Sequence, residues 1–362
     1  MVESPKNSMS KGLKAPIIRI GVWQWMKSNL FNGVFNSILT VVIFFFLYKI
    51  IPPFVQWAFI DSLWLSTAEE CRAGQGACWS IIPANIRFIL FGFYPHELHW
   101  RPSLAIIMLV SLLLYSKNRD HWRKSLGYLW IAGLVAMGIL MKGGIFGLMA
   151  VESDQWGGLP LTLMLSVFGM VAAYPLGIFL ALGRRSKMPA IKTICILYIE
   201  LIRGVPLISL LFMSAVLFPL FLPEGLTLNK ILRAQVAIIL FTAAYIAEVV
   251  RGGLQAITRG QYEAAESLGL NYVQKMRLII LPQALKIVIP PTVGILISAF
   301  KDTSLVVIIA LYDILKTTKS ALANPSWMGF SSEAYIFVAL IYFVCCYTMS
   351  NYSRRLEKEL HS

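Results

Sequence analysis

Apolar runs long enough to cross a membrane dominate the chain. About 20 apolar residues span a bilayer as a helix, because each residue rises about 1.5 Å. A shorter run, 103–115, is uninterrupted, and the topology requires it as a span. The pattern predicts an all-α, polytopic membrane protein with eight spanning helices. These are Gly33–Ile51, Ser103–Tyr115, Leu126–Met141, Leu159–Leu182, Val205–Leu222, Ile231–Val250, Ile287–Leu311 and Glu333–Ser350.

A further apolar segment, Ile81–Phe93, is not predicted to span. Arg87 lies near its middle, and Pro83 and Pro95 flank it. We therefore expect a re-entrant or interfacial segment.

The composition agrees with a membrane protein. Hydrophobic residues make up 57% of the 362 residues and charged residues only 14%, whereas a soluble protein carries about 25% charged residues. The mean hydropathy is +0.70. These values exclude a disordered chain, a collagen-like chain, a disulfide-dense secreted domain and an ordinary cytosolic enzyme.

The net charge of +14 is distributed unevenly between the two sides of the membrane. With eight spans, 22 of the 32 Lys and Arg residues fall on the side that holds both termini, and 7 fall in the opposite loops. The positive-inside rule then places both termini in the cytoplasm. Because topology explains the charge, no nucleic-acid partner is expected. The polar, basic segment 1–32 is not a cleavable signal peptide.

Polar and Gly-rich residues near 153–158 mark an organisational break. Three spans and a long outside loop, 56–102, precede the break, and five spans follow it. We expect four parts: a cytoplasmic N-terminal segment 1–32, a membrane extension 33–152, a core 153–353 and a cytoplasmic tail 354–362.

Two cysteines of the outside loop are candidates for a disulfide. Cys71 and Cys78 are separated by a short stretch with two glycines, and an outside compartment is oxidising. A metal site there is disfavoured, because two thiols without a nearby His do not complete a tetrahedral shell. His96, Glu97 and His99 are only a weak metal signal, so no metal site is predicted.

The cytoplasmic loop 251–283 is neither short nor simple. The segment Glu263–Leu268 contains strong helix formers, and Gly269 is placed to end that helix. A second helical stretch, Tyr272–Leu281, stops before Pro282. Periodicity alone favours an interfacial amphipathic hairpin.

The fixed residues of this loop resemble the EAA loop of ABC importer permeases. The matching positions are Glu263, Ala264, Ala265, Gly269, Ile279, Leu281 and Pro282. The resemblance implies coupling helices that dock on a dimer of ATP-binding subunits. A surface of two small alanines suits close approach, and a glycine permits the sharp turn.

Further segments resemble the polar amino acid branch of that family over about residues 157–355. They include Arg203 and Pro206 before one span, and Tyr245, Glu248 and Arg251 at the end of another. These are structural or gating candidates. Each has a plainer interpretation: Glu248 and Arg251 pair locally on one helix, Arg203 snorkels to the interface, and Tyr245 packs.

A charged interruption within Ile287–Leu311 is harder to explain structurally. Lys301 and Asp302 would each cost roughly 2.5–3.5 kcal/mol at the bilayer centre, so such residues normally face a bundle interior or a wet cavity. With Ser298, Thr303 and Ser304 they are candidates for a substrate pathway or gate. The alternative is an ion pair between helices or subunits.

The sequence contains no phosphate-binding loop and no catalytic cluster. We therefore expect a translocation subunit and not an enzyme, with no cofactor of its own and with ATP and Mg²⁺ bound by a partner ATPase. The resemblance, closest to the longer permeases of general L-amino acid importers, implies polar L-amino acids as substrates. It also implies two protein partners, a periplasmic binding protein and a second, related but non-identical permease. Membrane lipid is a further expected partner of a chain with eight spans.

The rival interpretations are an ABC permease for another small solute, an ion-coupled secondary transporter using Asp302 or Glu248, and a membrane-bound enzyme. The coupling loop would have no purpose in a secondary transporter.

Overall fold

Helices form almost all of the computed structural model, which describes residues 21–223 and 228–361. Contacts divide the described residues into one unit of 21–63 with Gly74–Ala77 and another of Trp64–Ala73 with 78–223 and 228–361. The first unit contains α1 (Val22–Asn29) and α2 (Val34–Val55). The second contains α3 (Ala68–Ala73), α4 (Ile81–Phe91), α5 (Trp100–Ser116), α6 (Lys124–Lys142), α7 (Gly158–Arg184), α8 (Pro189–Gly204), α9 (Leu207–Phe212), α10 (Lys230–Ala256), α11 (Arg259–Ser267), α12 (Tyr272–Lys275), α13 (Leu281–Asp302), α14 (Ile314–Leu322) and α15 (Ser331–His361).

The described residues contain seven helices that are long and apolar enough to cross a membrane, and a bent pair that makes an eighth span. The predicted all-α architecture with about eight spans is therefore confirmed. The short α4 has only 11 residues, too few to span, which agrees with the expectation for 81–93.

The span predicted at Val205–Leu222 differs in detail from the structure. Its helix is the second half of a pair, Pro189–Gly204 and Leu207–Phe221, bent by 104°. Pro206 has no amide hydrogen and disfavours a helical Val205, which is extended at φ −108° and ψ 134°. The second half continues from α9 through a π-helix, Met213–Leu217, and a 3₁₀-helix.

In the first unit, α2 ends at two prolines, and a side-chain hydrogen bond ties it to the turn after α1. Two consecutive prolines, Pro52 and Pro53, lie in the last turn of α2, and a π-helix, Gln56–Ile60, follows them. The Thr40 hydroxyl donates to the Leu30 carbonyl at 2.9 Å, which ties α2 to the turn after α1.

Small residues allow close packing between α7 and α10 in the second unit. A side chain at Gly177 would come within 2.6 Å of Ile246, so only glycine permits this contact. Gly253 similarly lies against Val288 of α13. Close approach at small residues is how membrane helices gain packing energy. The three helices therefore form the closely packed centre of this unit.

Asp313 is the N-cap residue of α14. Asp313 is fully buried and accepts hydrogen bonds from the amides of Leu315 and Lys316, which begins α14. A two-residue strand, Tyr312–Asp313, bridges Gly157 and Gly158 at the start of α7.

Candidate functional site

The loop between α10 and α13 forms a helical hairpin. Gly269 has φ +70°, a left-handed conformation that favours glycine, and it turns the chain between α11 and α12. Asn271 and Gln274 form a reciprocal capping box at the start of α12. The sequence predicts two short helices at a glycine, and the structure has them in the described loop.

The second helix of the hairpin does not stop before Pro282, contrary to expectation. It continues through a π-helix, Met276–Ile280, directly into α13. Pro282 lies in the first turn of α13 and has no amide hydrogen to donate. The wider hydrogen-bond spacing of the π-helix before it makes room for the proline ring. The second helix of the hairpin, α12, and α13 are therefore one continuous helix.

The motif residues divide between an inner and an outer face of the hairpin. Ala265 is fully buried in the chain's own core, as is Ile280, a neighbour that is not part of the motif, whereas Glu263 and Ala264 are exposed. Of the alanine pair, only Ala264 can meet a partner. Ile279 and Leu281 are half-buried, and Pro282 is exposed.

Three apolar side chains extend the outer face of the hairpin. Leu268, Tyr272 and Val273 are 74%, 55% and 68% exposed. Lys275 forms an ion pair with Glu266, and this contact lowers the pKa of the Glu266 carboxyl below its ordinary value. The sequence motif did not identify Leu268, Tyr272 and Val273 as one exposed surface, because the hairpin turn determines which way each of them faces.

A cavity of about 410 Å³, here called the Asp302 cavity, lies between α9, α10 and α13. Three sequence candidates line it: Tyr245, Ser298 and Asp302. Thr242 and Gly294 also line it and were not identified from the sequence. Thr242 lies one turn before Tyr245 on α10, which is the only signal that could have identified it.

Three neighbouring candidates do not line this cavity. Thr303 is buried and donates to the Phe300 carbonyl at 2.7 Å, and Ser304 donates to the Lys301 carbonyl at 2.8 Å. Lys301 is exposed. These hydroxyls end α13 and begin the 3₁₀-helix Thr303–Ile309, so their position supports the helix break that the sequence suggested.

Glu248 is the centre of an ion cluster one turn from Tyr245. Arg251 approaches both Glu248 carboxylate oxygens through Nε at 3.0 Å. Arg184 Nη1 lies 3.3 Å and Arg203 Nη1 3.8 Å from Glu248 Oε2. Arg184 also pairs with Glu200 at 2.9 Å.

The cluster reaches the Asp302 cavity through an aromatic contact. The Arg203 guanidinium lies over the Tyr245 ring, 5.5 Å from its centre. Pro206 itself is exposed and sets the bend that brings Arg203 to this place. The sequence indicated the local Glu248–Arg251 pair, but it gave no signal for Arg184 or Glu200, which are distant in the chain.

The structure contains a disulfide between Cys71 and Cys78, both buried. The Cys78 amide donates to the buried Glu333 carboxylate at 3.0 Å, and Arg72 donates to the carbonyls of Pro325 and Ser326. Cys78 is therefore attached to the start of α15, and Arg72 to the segment before it. Among the described residues, no group of three His, Cys, Asp or Glu side chains is arranged for a metal ion.

Comparison with known proteins agrees with this arrangement. Residues 173–362 match the family described as "Binding-protein-dependent transport system inner membrane component". The inner membrane amino-acid ABC transporter permease protein YhdY of Escherichia coli K12 is 46% identical, over 93% of each chain. The glutamate/glutamine/aspartate/asparagine transport system permease protein BztC of Rhodobacter capsulatus is 38% identical, over 96% of this chain and 95% of the relative.

A solved structure shares the fold of just over half of the chain. The crystal structure of an amino acid ABC transporter with histidines is 32% identical, with a TM-score of 0.50, over 56% of this chain and 92% of that chain. The family match, together with the hairpin and the membrane spans, shows that this chain belongs to the inner membrane components of binding-protein-dependent transport systems, as an ABC transporter permease.

Proposed function

We propose that this permease moves polar L-amino acids inward across the inner membrane, with both termini in the cytoplasm. The positive charge of the loops on the termini side supports the orientation. The two similar permeases of E. coli and R. capsulatus are named for amino acids, which supports the substrate class.

One observation carries the mechanism: the hairpin and the Asp302 cavity are joined by the same two helices. Tyr245 of α10 and Asp302 of α13 line the cavity, while the hairpin connects the other ends of α10 and α13. A movement of the hairpin is therefore transmitted to the cavity walls through continuous helices.

In this mechanism, a dimer of ATP-binding subunits, which holds ATP and Mg²⁺, docks on the exposed face around Glu263 and Ala264. Closure of the dimer pulls the hairpin and opens the cavity to the outside. A periplasmic binding protein then delivers the amino acid between this chain and a second, related permease. The ammonium of the amino acid is the natural partner of the Asp302 carboxylate.

The outside loop 56–102 is a candidate seat for the binding protein. Deletion of 66–82 is expected to reduce uptake while ATPase co-purification stays normal. Unchanged uptake after this deletion would exclude the role.

The decisive test is uptake of labelled amino acids by cells that make this chain with its transport partners. Glu263→Lys and Gly269→Asp should reach the membrane and lose uptake, with the ATPase no longer co-purifying or no longer stimulated. Asp120→Lys is the matched control, because it introduces the same charge change in a different exposed turn. Normal uptake by both hairpin variants would favour a secondary transporter.

A further inference from the structure

A second cavity, of about 250 Å³ and here called the Arg233 cavity, lies between α8, α9 and α10. Eight of its ten lining residues are apolar; the others are Ser214 and Arg233. The 104° bend between α8 and α9 and the π-helix Met213–Leu217 lead the chain away from α10 and leave this space.

The cavity runs along α10 from a charged end to an apolar end. Arg233 is in the first turn of α10, and Leu240 lies seven residues further, about 10 Å along the axis. The 27 residues of α10 exceed the length needed to cross the hydrocarbon core, so its first turn reaches the headgroup region. Leu240 is then at the depth of acyl chains.

Arg233 has unused hydrogen-bonding capacity. Its Nη1 donates to the Ala215 carbonyl, which belongs to the π-helix. Its Nε is buried without a partner. No carboxylate forms an ion pair with it among residues 21–223 and 228–361. A guanidinium with free donors is suited to bind a phosphate.

We propose that the Arg233 cavity binds a phospholipid, with one acyl chain against Leu240 and the phosphate on Arg233. Eight of the ten lining residues are apolar, and acyl chains are the apolar material that surrounds a spanning helix. In the orientation proposed above, the lipid belongs to the outer leaflet.

The position of this lipid connects it to transport. Ala237 and Leu240 line the Arg233 cavity, whereas Ile238 and Phe241 of the same helix line the Asp302 cavity. The acyl chain therefore supports the back of the helix whose front faces the Asp302 cavity. Its loss leaves the space between α10 and the bent pair α8–α9 unfilled.

Native mass spectrometry of the delipidated full chain, with phosphatidylglycerol added back, tests this site. Wild type should retain one lipid, and Arg233→Gln should weaken its binding roughly tenfold, the effect expected for a charge-assisted hydrogen bond. Leu240→Trp fills the apolar end and should prevent binding independently. Lys230→Gln is the matched control, because Lys230 is an exposed cation one turn away that does not line the cavity.

Two simpler probes separate the parts of the ligand. Dioleoylglycerol, which lacks the phosphate, should bind more weakly and be insensitive to Arg233→Gln. Inorganic phosphate should not displace the lipid; displacement would indicate a phosphate site and overturn the proposal. Equal retention by Arg233→Gln, Leu240→Trp and wild type would also overturn it, as would efficient cross-linking of Leu232→Cys to the second permease.

Discussion

Glu248 holds three arginines from three helices at one point between the hairpin and the Asp302 cavity. The cluster has three positive charges and two negative charges, those of Glu248 and Glu200. Loss of the Glu248 charge therefore leaves positive charges close together. The four side chains that meet here are 21–32% exposed, which reduces the effect relative to a fully buried pair.

Glu248→Gln is expected to lower the free energy of unfolding by about 1–3 kcal/mol and to reduce uptake. Thermal melting in detergent and amino acid uptake measure the two effects. A double-mutant cycle with Arg184→Met should give a coupling energy of at least about 0.5 kcal/mol. Arg355→Gln, which removes an exposed helical ion pair with Glu359, is the control and should be nearly neutral. Additive effects in the cycle would show that the cluster is not coupled.

The buried Asp313 carboxyl predicts a pH dependence of stability. Burial raises its pKa from the ordinary 3.8 to about 6. The folded state therefore binds more protons than the unfolded state between about pH 4 and 6, so stability falls as pH rises through this window and levels off above it.

Asp313→Asn keeps a side-chain oxygen for the cap of α14 but cannot ionise. Relative to wild type, it is expected to gain up to about 3 kcal/mol as the pH rises from 4 to 6.5. Melting temperatures of both proteins across this range check the prediction. A constant difference between the two curves would contradict it.

At the scale of elements, hydrophobic runs are sufficient to locate the spans, because each span must satisfy its backbone within one helix. The same runs do not reveal the bend at Pro206 or the π-helix before Leu281. These irregular segments depend on packing against neighbouring helices, which the sequence pattern does not contain. The hairpin motif was recognisable because Gly269 and the flanking residues are close in sequence. The sequence did not identify Arg184 and Glu200 as members of the ion cluster, because only the tertiary fold brings them to Glu248.

The contribution of the Cys71–Cys78 disulfide to stability can be measured separately from that of the other contacts of its loop. Cys71 and Cys78 close a short loop, and loss of such a constraint is expected to lower the free energy of unfolding by about 2–3 kcal/mol. The double variant Cys71→Ser with Cys78→Ser should show a lower melting temperature and faster proteolysis within 64–80. The free pair Cys345 and Cys346, changed to serine together, is the control. Unaltered proteolysis would show that the contacts with Glu333 and Pro325 are sufficient.

At the scale of the whole molecule, α10 and α13 serve both ends of the transport path. Their close contact at Gly253 leaves little freedom for either helix to move alone. The hairpin is consequently expected to act on the cavity through movement of both helices together. A defect in the cavity should then reduce uptake alone, whereas a defect in the hairpin should also affect the ATPase.

A defect confined to the cavity can be made at Gly294, which lines it and where an added Cβ meets no atom within 4 Å. Gly294→Leu should therefore fold, narrow the Asp302 cavity and reduce uptake at least about tenfold, an effect of about 1.4 kcal/mol on the transport barrier. The ATPase should still co-purify, because the hairpin is unchanged. Gly138→Leu is the matched control, since Gly138 is a helical glycine in α6 with equally open space and no place in the cavity. Uptake by Gly294→Leu equal to that of Gly138→Leu would mean that amino acids do not pass this cavity, and loss of the ATPase would mean that the substitution acts on the fold.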